Sequence, residues 1–225
     1  MISSWQGERK TLKYILRPLM LLVLGCAPGA GTTIMYDNTV NPTPDTVFYS
    51  IGPYTALGDQ IHLISTGIAT QAEVEIFNDL AGGTFDAELD LFAVGSPVGA
   101  LLGSFDLTDL VSVGSDVIDM TFDLGAGLLV PQDLIFTVSV SDVSAGMDLG
   151  VDMFEPPTVG TSDPTFMIVQ SGGVYSTLTT NNEDVYFQLS GTTTGASAPE
   201  ASSLTLLATG LLAMGIGAAR RHYGK

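Results

Sequence analysis

An antiparallel all-β domain of the β-sandwich type is what this chain predicts, on three observations. Apolar and polar residues alternate with a period of two in one segment after another. Sequences rich in Gly, Asn and Pro punctuate those segments. Between them no stretch carries the 3.6-residue apolar rhythm of an amphipathic helix, which argues against a parallel sheet wrapped by crossover helices. Period two means strands with one face in a core and the other in water. About nine to eleven such strands, joined by Gly-rich turns, fit a jelly-roll-like arrangement.

In chain order, residues 1–30 come first and read as a signal segment. Arg9, Lys10, Lys13 and Arg17 precede the apolar run Pro18-Leu19-Met20-Leu21-Leu22-Val23-Leu24, and small residues follow. Cationic groups stay on the cytoplasmic side while a short apolar core enters the bilayer. A permanent span needs about 20 apolar residues, more than this run supplies. Val23-Leu24-Gly25-Cys26 has the form of a lipoprotein signal box, in which Cys26 becomes the lipidated first residue. Ordinary cleavage within Ala27-Pro28-Gly29-Ala30 is the alternative. Cys26 is the sole cysteine, so the domain beyond it is held without an intrachain disulfide.

Residues 31–190 form the expected acidic β-domain, large enough at about 160 residues to bury a sizeable core. Val74 and Ile76 alternate with Glu73 and Glu75; Ala87, Leu89 and Leu91 with Asp86, Glu88 and Asp90; Ile118, Met120, Phe122 and Leu124 with Asp119, Thr121 and Asp123. The same rhythm sets Leu134, Phe136, Val138 and Val140 against Asp133, Thr137 and Ser139, and Val185, Phe187 and Leu189 against Tyr186, Gln188 and Ser190. Turns are expected at 78–83, 95–97, 125–127, 171–173 and 181–182.

Residues 191–198 are small and polar, as a flexible linker would be. Pro199-Glu200 follows, then an uncharged stretch at 201–219 that closes on Arg220 and Arg221. At about 1.5 Å per residue a helix of that length just crosses a hydrocarbon core of roughly 30 Å. The basic stop belongs in the cytoplasm, which leaves the domain outside.

The order of Ala198-Pro199-Glu200-Ala201-Ser202-Ser203, apolar span and Arg220-Arg221 resembles the PEP-CTERM sorting tail of exported proteins in Gram-negative bacteria. Its motif would occupy 199–202, its transmembrane helix 201–219 and its stop 220–225. Ala201 stands where the family motif has a second proline. The resemblance implies handling by an exosortase, a membrane protease with proposed transpeptidase chemistry, in a cell that makes extracellular polysaccharide. Thr33-Ile34-Met35-Tyr36-Asp37-Asn38 with Leu57-Gly58-Asp59-Gln60-Ile61 also resembles the small exported β-domains that such tails follow.

The charge distribution excludes several chemistries. Of 7 Lys and Arg, none lies between Pro18 and Ala219, whereas every carboxylate of the 24 except Glu8 does. Nothing there neutralises phosphate, so nucleic-acid binding is not expected. His62 is the only histidine outside the terminal 222, and no Gly-x-Ser-x-Gly elbow accompanies it. One histidine without a domain cysteine does not make a zinc site. Carboxylates such as Glu88 and Asp90 are numerous enough for a glycosidase, but their plain reading is a solvated acidic face.

Calcium is the cofactor these oxygens could serve, because it takes six to eight ligands from carboxylates, amides and carbonyls. The candidates are Asn78, Asp79 and Asp86 around one turn and Asp142, Asp148 and Asp152 around another. No Asp-x-Asp-x-Asp-Gly loop singles either out. Tyr36, Tyr49, Tyr54 and Tyr175 are the aromatic faces on offer for sugar, since the one Trp, Trp5, lies in the leader.

The expected function is that of an exported, non-catalytic surface or extracellular-matrix protein that uses no cofactor. It would engage the export machinery and an exosortase-like protease, pass through an inner-membrane-anchored intermediate and reach the cell surface or medium. A module binding extracellular polysaccharide is one alternative and a secreted glycosidase another.

Overall fold

The computed structural model describes residues 32–40, 48–52, 54–154, 156–180 and 183–193, all within the unit Thr32–Ala196. Cys26, Pro199, Glu200, Ala201, Arg220, Arg221 and the apolar span 201–219 lie outside the described residues. Among the described residues, no helix is long and apolar enough to cross a membrane.

These residues are all-β. Fourteen strands occur among them: β1 (Thr33–Asp37), β2 (Phe48–Ser50), β3 (Ala56–His62), β4 (Gly67–Asn78), β5 (Gly83–Val94), β6 (Val98–Ser112), β7 (Asp116–Val130), β8 (Asp133–Ser141), β9 (Leu149–Phe154), β10 (Thr161–Ser162), β11 (Phe166–Ser171), β12 (Val174–Thr179), β13 (Asp184–Val185) and β14 (Gln188–Thr193). The count exceeds nine to eleven because β2, β10 and β13 are only two or three residues long.

Two antiparallel sheets of seven strands result. The first runs β1-β14-β4-β9-β13, with β2 beside β9 and β7 on the other side of β4. The second runs β12-β11-β3-β8-β5-β6, with β10 beside β3. On one side β4 pairs with β7 along its length; on the other, β14 takes Gly67–Glu73 and β9 takes Ile76–Asn78 end to end.

One core draws on both sheets, an arrangement consistent with a β-sandwich. Val74, Ile76, Phe122 and Val151 from the first join Leu57, Ile61, Leu89 and Phe136 from the second in a single buried cluster. Phe136 stacks on Phe187 with ring centroids 3.9 Å apart and planes 9° apart, and Tyr36 lies tilted to Phe187 with centroids 6.2 Å apart. A stacked pair of this kind adds about 0.5–1.5 kcal/mol to what burial alone gives.

The alternation holds on β4, β5 and β7, where the apolar set is buried and the acidic set turns outward. Elsewhere the structure corrects it. On β8 all of 134–138 is buried, Thr137 included, because Ile135 packs with Phe92 and Ile168 in a second cluster on the far side of the sheet. The segment 185–190 is not one strand: β13 pairs with β9, the chain steps across at 186–187, and β14 pairs with β1 and β4. Tyr186 is consequently buried.

Two glycine segments also read differently in three dimensions. Gly125-Ala126-Gly127 is no turn but a bulge inside β7. Ala69 and Gln71 of β4 face Leu128 and Asp123, so β7 accommodates extra residues there, and Gly125 and Gly127 take φ of 69° and 99°. Gly191 does not begin the linker. It pairs with Ala69 inside β14, which continues to Thr193, and a side chain at 191 would collide with the Ile68 carbonyl. The expected linker 191–198 therefore loses its first three residues to the sheet.

Candidate functional site

Period two, followed strictly along β3, puts Leu57, Asp59 and Ile61 on one face. Leu57 and Ile61 belong to the core between the sheets. Asp59 goes in with them at 1 % exposure, opposite Phe136 in the register with β8. A carboxylate in the core is costly unless it is neutralised or fully hydrogen-bonded. The Gln60 amide donates to its Oδ1 at 2.6 Å, but Oδ2 has no hydrogen-bond partner.

Three further groups meet it there. Asp184 arrives on β13 with 0 % exposure and no hydrogen-bond partner on either oxygen. Ser162 comes from β10, whose pairing with Ile61 sets it beside β3, and its Oγ is likewise buried and unpartnered. Tyr36 comes from β1 with its ring in the core and its hydroxyl unpartnered. Each is close enough to interact with its neighbours. Burial first, then the charge of Asp184, pushes the Asp59 carboxyl well above the carboxylate range. Burial also raises Asp184, against the lowering influence of Ser162 and Asp59. Burial, then Asp184, raises the Tyr36 hydroxyl. Four oxygen-bearing side chains from four strands thus meet, with no Lys or Arg in the domain available to them.

A second acidic group lies on the opposite, wetter side of the first sheet. Glu75 on β4 faces Asp119 on β7 in register, and Asp152 on β9 flanks it from the other strand. Burial first, then contact with Asp152 and Asp119, pushes the Glu75 carboxyl up to about 9. Next along β4, Glu73 accepts a hydrogen bond of 2.7 Å from the Tyr186 hydroxyl, which burial and that carboxylate raise above its usual range. Like charges side by side favour the neutral form of Glu75.

The calcium candidates do not gather as the two turn clusters: Asn78, Asp79 and Asp148 meet through backbone hydrogen bonds, and Asp86, Asp142 and Asp152 are engaged elsewhere. Asn78 is fully buried and serves as a clamp: its Nδ2 donates to the Ala81 carbonyl at 2.9 Å and to Ser112 Oγ at 2.6 Å, and its Oδ1 accepts from the Leu80 and Asp148 amides at 3.3 Å. Asp79 is exposed, with its amide on the Asp148 carbonyl. Asp86 accepts from the Asp109 amide at 2.8 Å. Asp142 is exposed at a loop position with φ 49°. Asp152 belongs to the Glu75 row, further along β9 from Asp148, which immediately precedes that strand. Among the described residues no group of three or more His, Cys, Asp or Glu could hold a metal ion.

His62 ends β3 in solvent. Its Nδ1 is 2.7 Å from Asp133 Oδ1 and its Nε2 is 3.0 Å from Gln132 Nε2. Both ring nitrogens are engaged, one by a carboxylate and the other by an amide. Of the tyrosines considered for sugar, Tyr36 is excluded by its burial in the core. Tyr175 is half-buried, edge-on to Phe92 with centroids 5.5 Å apart. Tyr54 lines a cleft of about 270 Å³ with Ile51, Val140, Val143, Met147 and Leu149.

The alternation around Leu57-Gly58-Asp59-Gln60-Ile61 was the signal for Asp59. Asp184 carries no such signal, since β13 is two residues long and its position depends on pairing with β9.

No protein-family model matches the chain, and no curated protein matches it. A solved structure described as that of infectious bursal disease virus, Gt strain, aligns with 87% of this chain and 50% of its own, at 12% identity and a TM-score of 0.27. The chain therefore spans about half the length of that protein, and a likeness so distant carries no argument.

Proposed function

We propose that the chain is an exported, non-catalytic surface or extracellular-matrix protein whose β-domain is a jelly-roll sandwich. The pairing orders β2-β9-β4-β7 and β3-β8-β5-β6, with the chain passing between sheets after β2, β3, β4, β6, β7 and β8, support the jelly-roll reading. The observation that carries the functional reading is the charge distribution. Lys and Arg occur only in the two ends, and everything between is acidic. An acidic, base-free surface stays soluble and repels phosphate polymers.

The ends supply the route: a leader at 1–30 for translocation, the apolar stretch 201–219 as a transient membrane anchor, and processing near Pro199-Glu200 before release or attachment. Arg220 and Arg221 act as the cytoplasmic stop. In the native host, a chain lacking residues 196–225 should no longer reach the cell surface. Unchanged display of that chain would sink the reading. Intact mass gives the same decision independently: the mature form should lack both ends, and a surface form that keeps Arg220 to Lys225 argues for a plain membrane anchor instead.

A further inference from the structure

We infer that Asp59 and Asp184, with the hydroxyls of Ser162 and Tyr36, form a buried site for one hard divalent cation of the calcium type. The site differs from both turn clusters that the sequence suggests for calcium.

Charge is the first argument. Two carboxylates, 1 % and 0 % exposed, share a space inside a domain that has no Lys or Arg, and the domain's one histidine is exposed and bonded to Asp133. Ionised carboxylates cost several kcal/mol each when taken out of water unpaired. Their neutralising charge must come from outside the chain, as protons or as a metal ion.

Hydrogen-bond accounting then favours the metal. A shared proton would join one oxygen of Asp59 to one of Asp184. It would leave the other Asp184 oxygen, the Ser162 Oγ and the Tyr36 hydroxyl beside one another but without a hydrogen bond of good geometry, as they are now. Buried polar side chains are seldom left so. One cation uses lone pairs from all four groups at once. The donor set is oxygen only, with no sulfur or nitrogen, which selects calcium or magnesium over zinc or copper. The four ligands come from β1, β3, β10 and β13, so the ion would tie both sheets together at a point where each contributes one two-residue strand.

The test uses the full-length chain, refolded from denaturant after chelation so that a buried site can load. Calcium at about a hundred times its dissociation constant should raise the melting temperature by roughly 5–10 °C, with one ion bound per chain in 0.1 M salt. In Asp184→Asn that shift should vanish. Ser162→Ala, a milder change, should weaken binding about tenfold while the fold persists. Terbium, a calcium stand-in, should emit on tyrosine excitation, lose its emission to added calcium and lose most of it in Tyr36→Phe. No shift with calcium, magnesium or manganese overturns the inference. So does a shift of full size in Asp184→Asn, which would assign the effect to surface acids, or terbium emission unaltered in Tyr36→Phe.

Discussion

The row Asp119–Glu75–Asp152 and the pair Asp59–Asp184 are built from the same chemistry on neighbouring parts of one molecule, yet they obey different rules. On the row, carboxyls lie side by side across three strands with water at hand, so charge is managed by a proton that Glu75 keeps to about pH 9. In the pair, both carboxyls are buried and Phe136 occupies the facing position in the register with Asp59. There, protonation alone leaves oxygens without partners. The difference teaches that spacing of acids along a strand says little; the face they take decides whether they are surface or structure.

The largest change should come from the apolar wall of the pair. Phe136→Ala removes the ring stacked on Phe187 and opens a cavity beside Asp59, at a cost of about 3–5 kcal/mol. Urea unfolding measures it, and a loss below about 1 kcal/mol would mean that the core around the pair is loosely packed.

The row gives a smaller, pH-dependent effect. An acid whose folded pKa is raised holds a proton that the unfolded chain has already released, so stability falls as pH rises from the unfolded value of 4.5 towards about 9. Partial contact with water scales this to about 1–2 kcal/mol between pH 5 and 9. Asp152 and Asp119 face Glu75, with Glu73 and Tyr186 next to it. Asp59 and Asp184, also raised, pull in the same direction without metal. The difference between wild type and Glu75→Gln therefore isolates the row: melting temperatures in cation-free buffer should fall less steeply with pH in the variant. Parallel slopes would remove Glu75 from the account.

The smallest effect belongs to an ion pair outside both groups. His62 and Asp133 are 46% and 62% exposed, and His62→Ala should change stability by no more than about 0.5 kcal/mol. A larger loss would show that this exposed corner supports β3, and with it Asp59, more than its contacts suggest.

Much of the fold was legible because sheets with one wet face print their period on the sequence. β4, β5 and β7 follow it residue by residue. Legibility failed where both faces are covered, as on β8, since Thr137 looks the same whether solvent or Tyr175 lies over it. It failed again at Gly125, Gly127 and Gly191, because composition does not separate a turn or linker from a bulge or a tight strand crossing. Half of the buried site was readable in the alternation through Asp59. The other half was not, because Asp184 owes its place to a pairing with a strand some thirty residues earlier in the chain. The turn acids looked like a metal site in one dimension, yet Asn78 had already committed its amide to Ala81, Ser112 and two backbone amides.

The end-to-end seating of β14 and β9 on β4, with β1 on the outside of β14, has a kinetic meaning. The first strand of the domain cannot find its partner until the last one has been delivered: Thr33 waits for Gly191. Such distant pairings make for slow folding. A polypeptide threaded through a membrane channel from its N-terminus would stay unclosed until nearly the whole domain had emerged, and it would lock only on the far side.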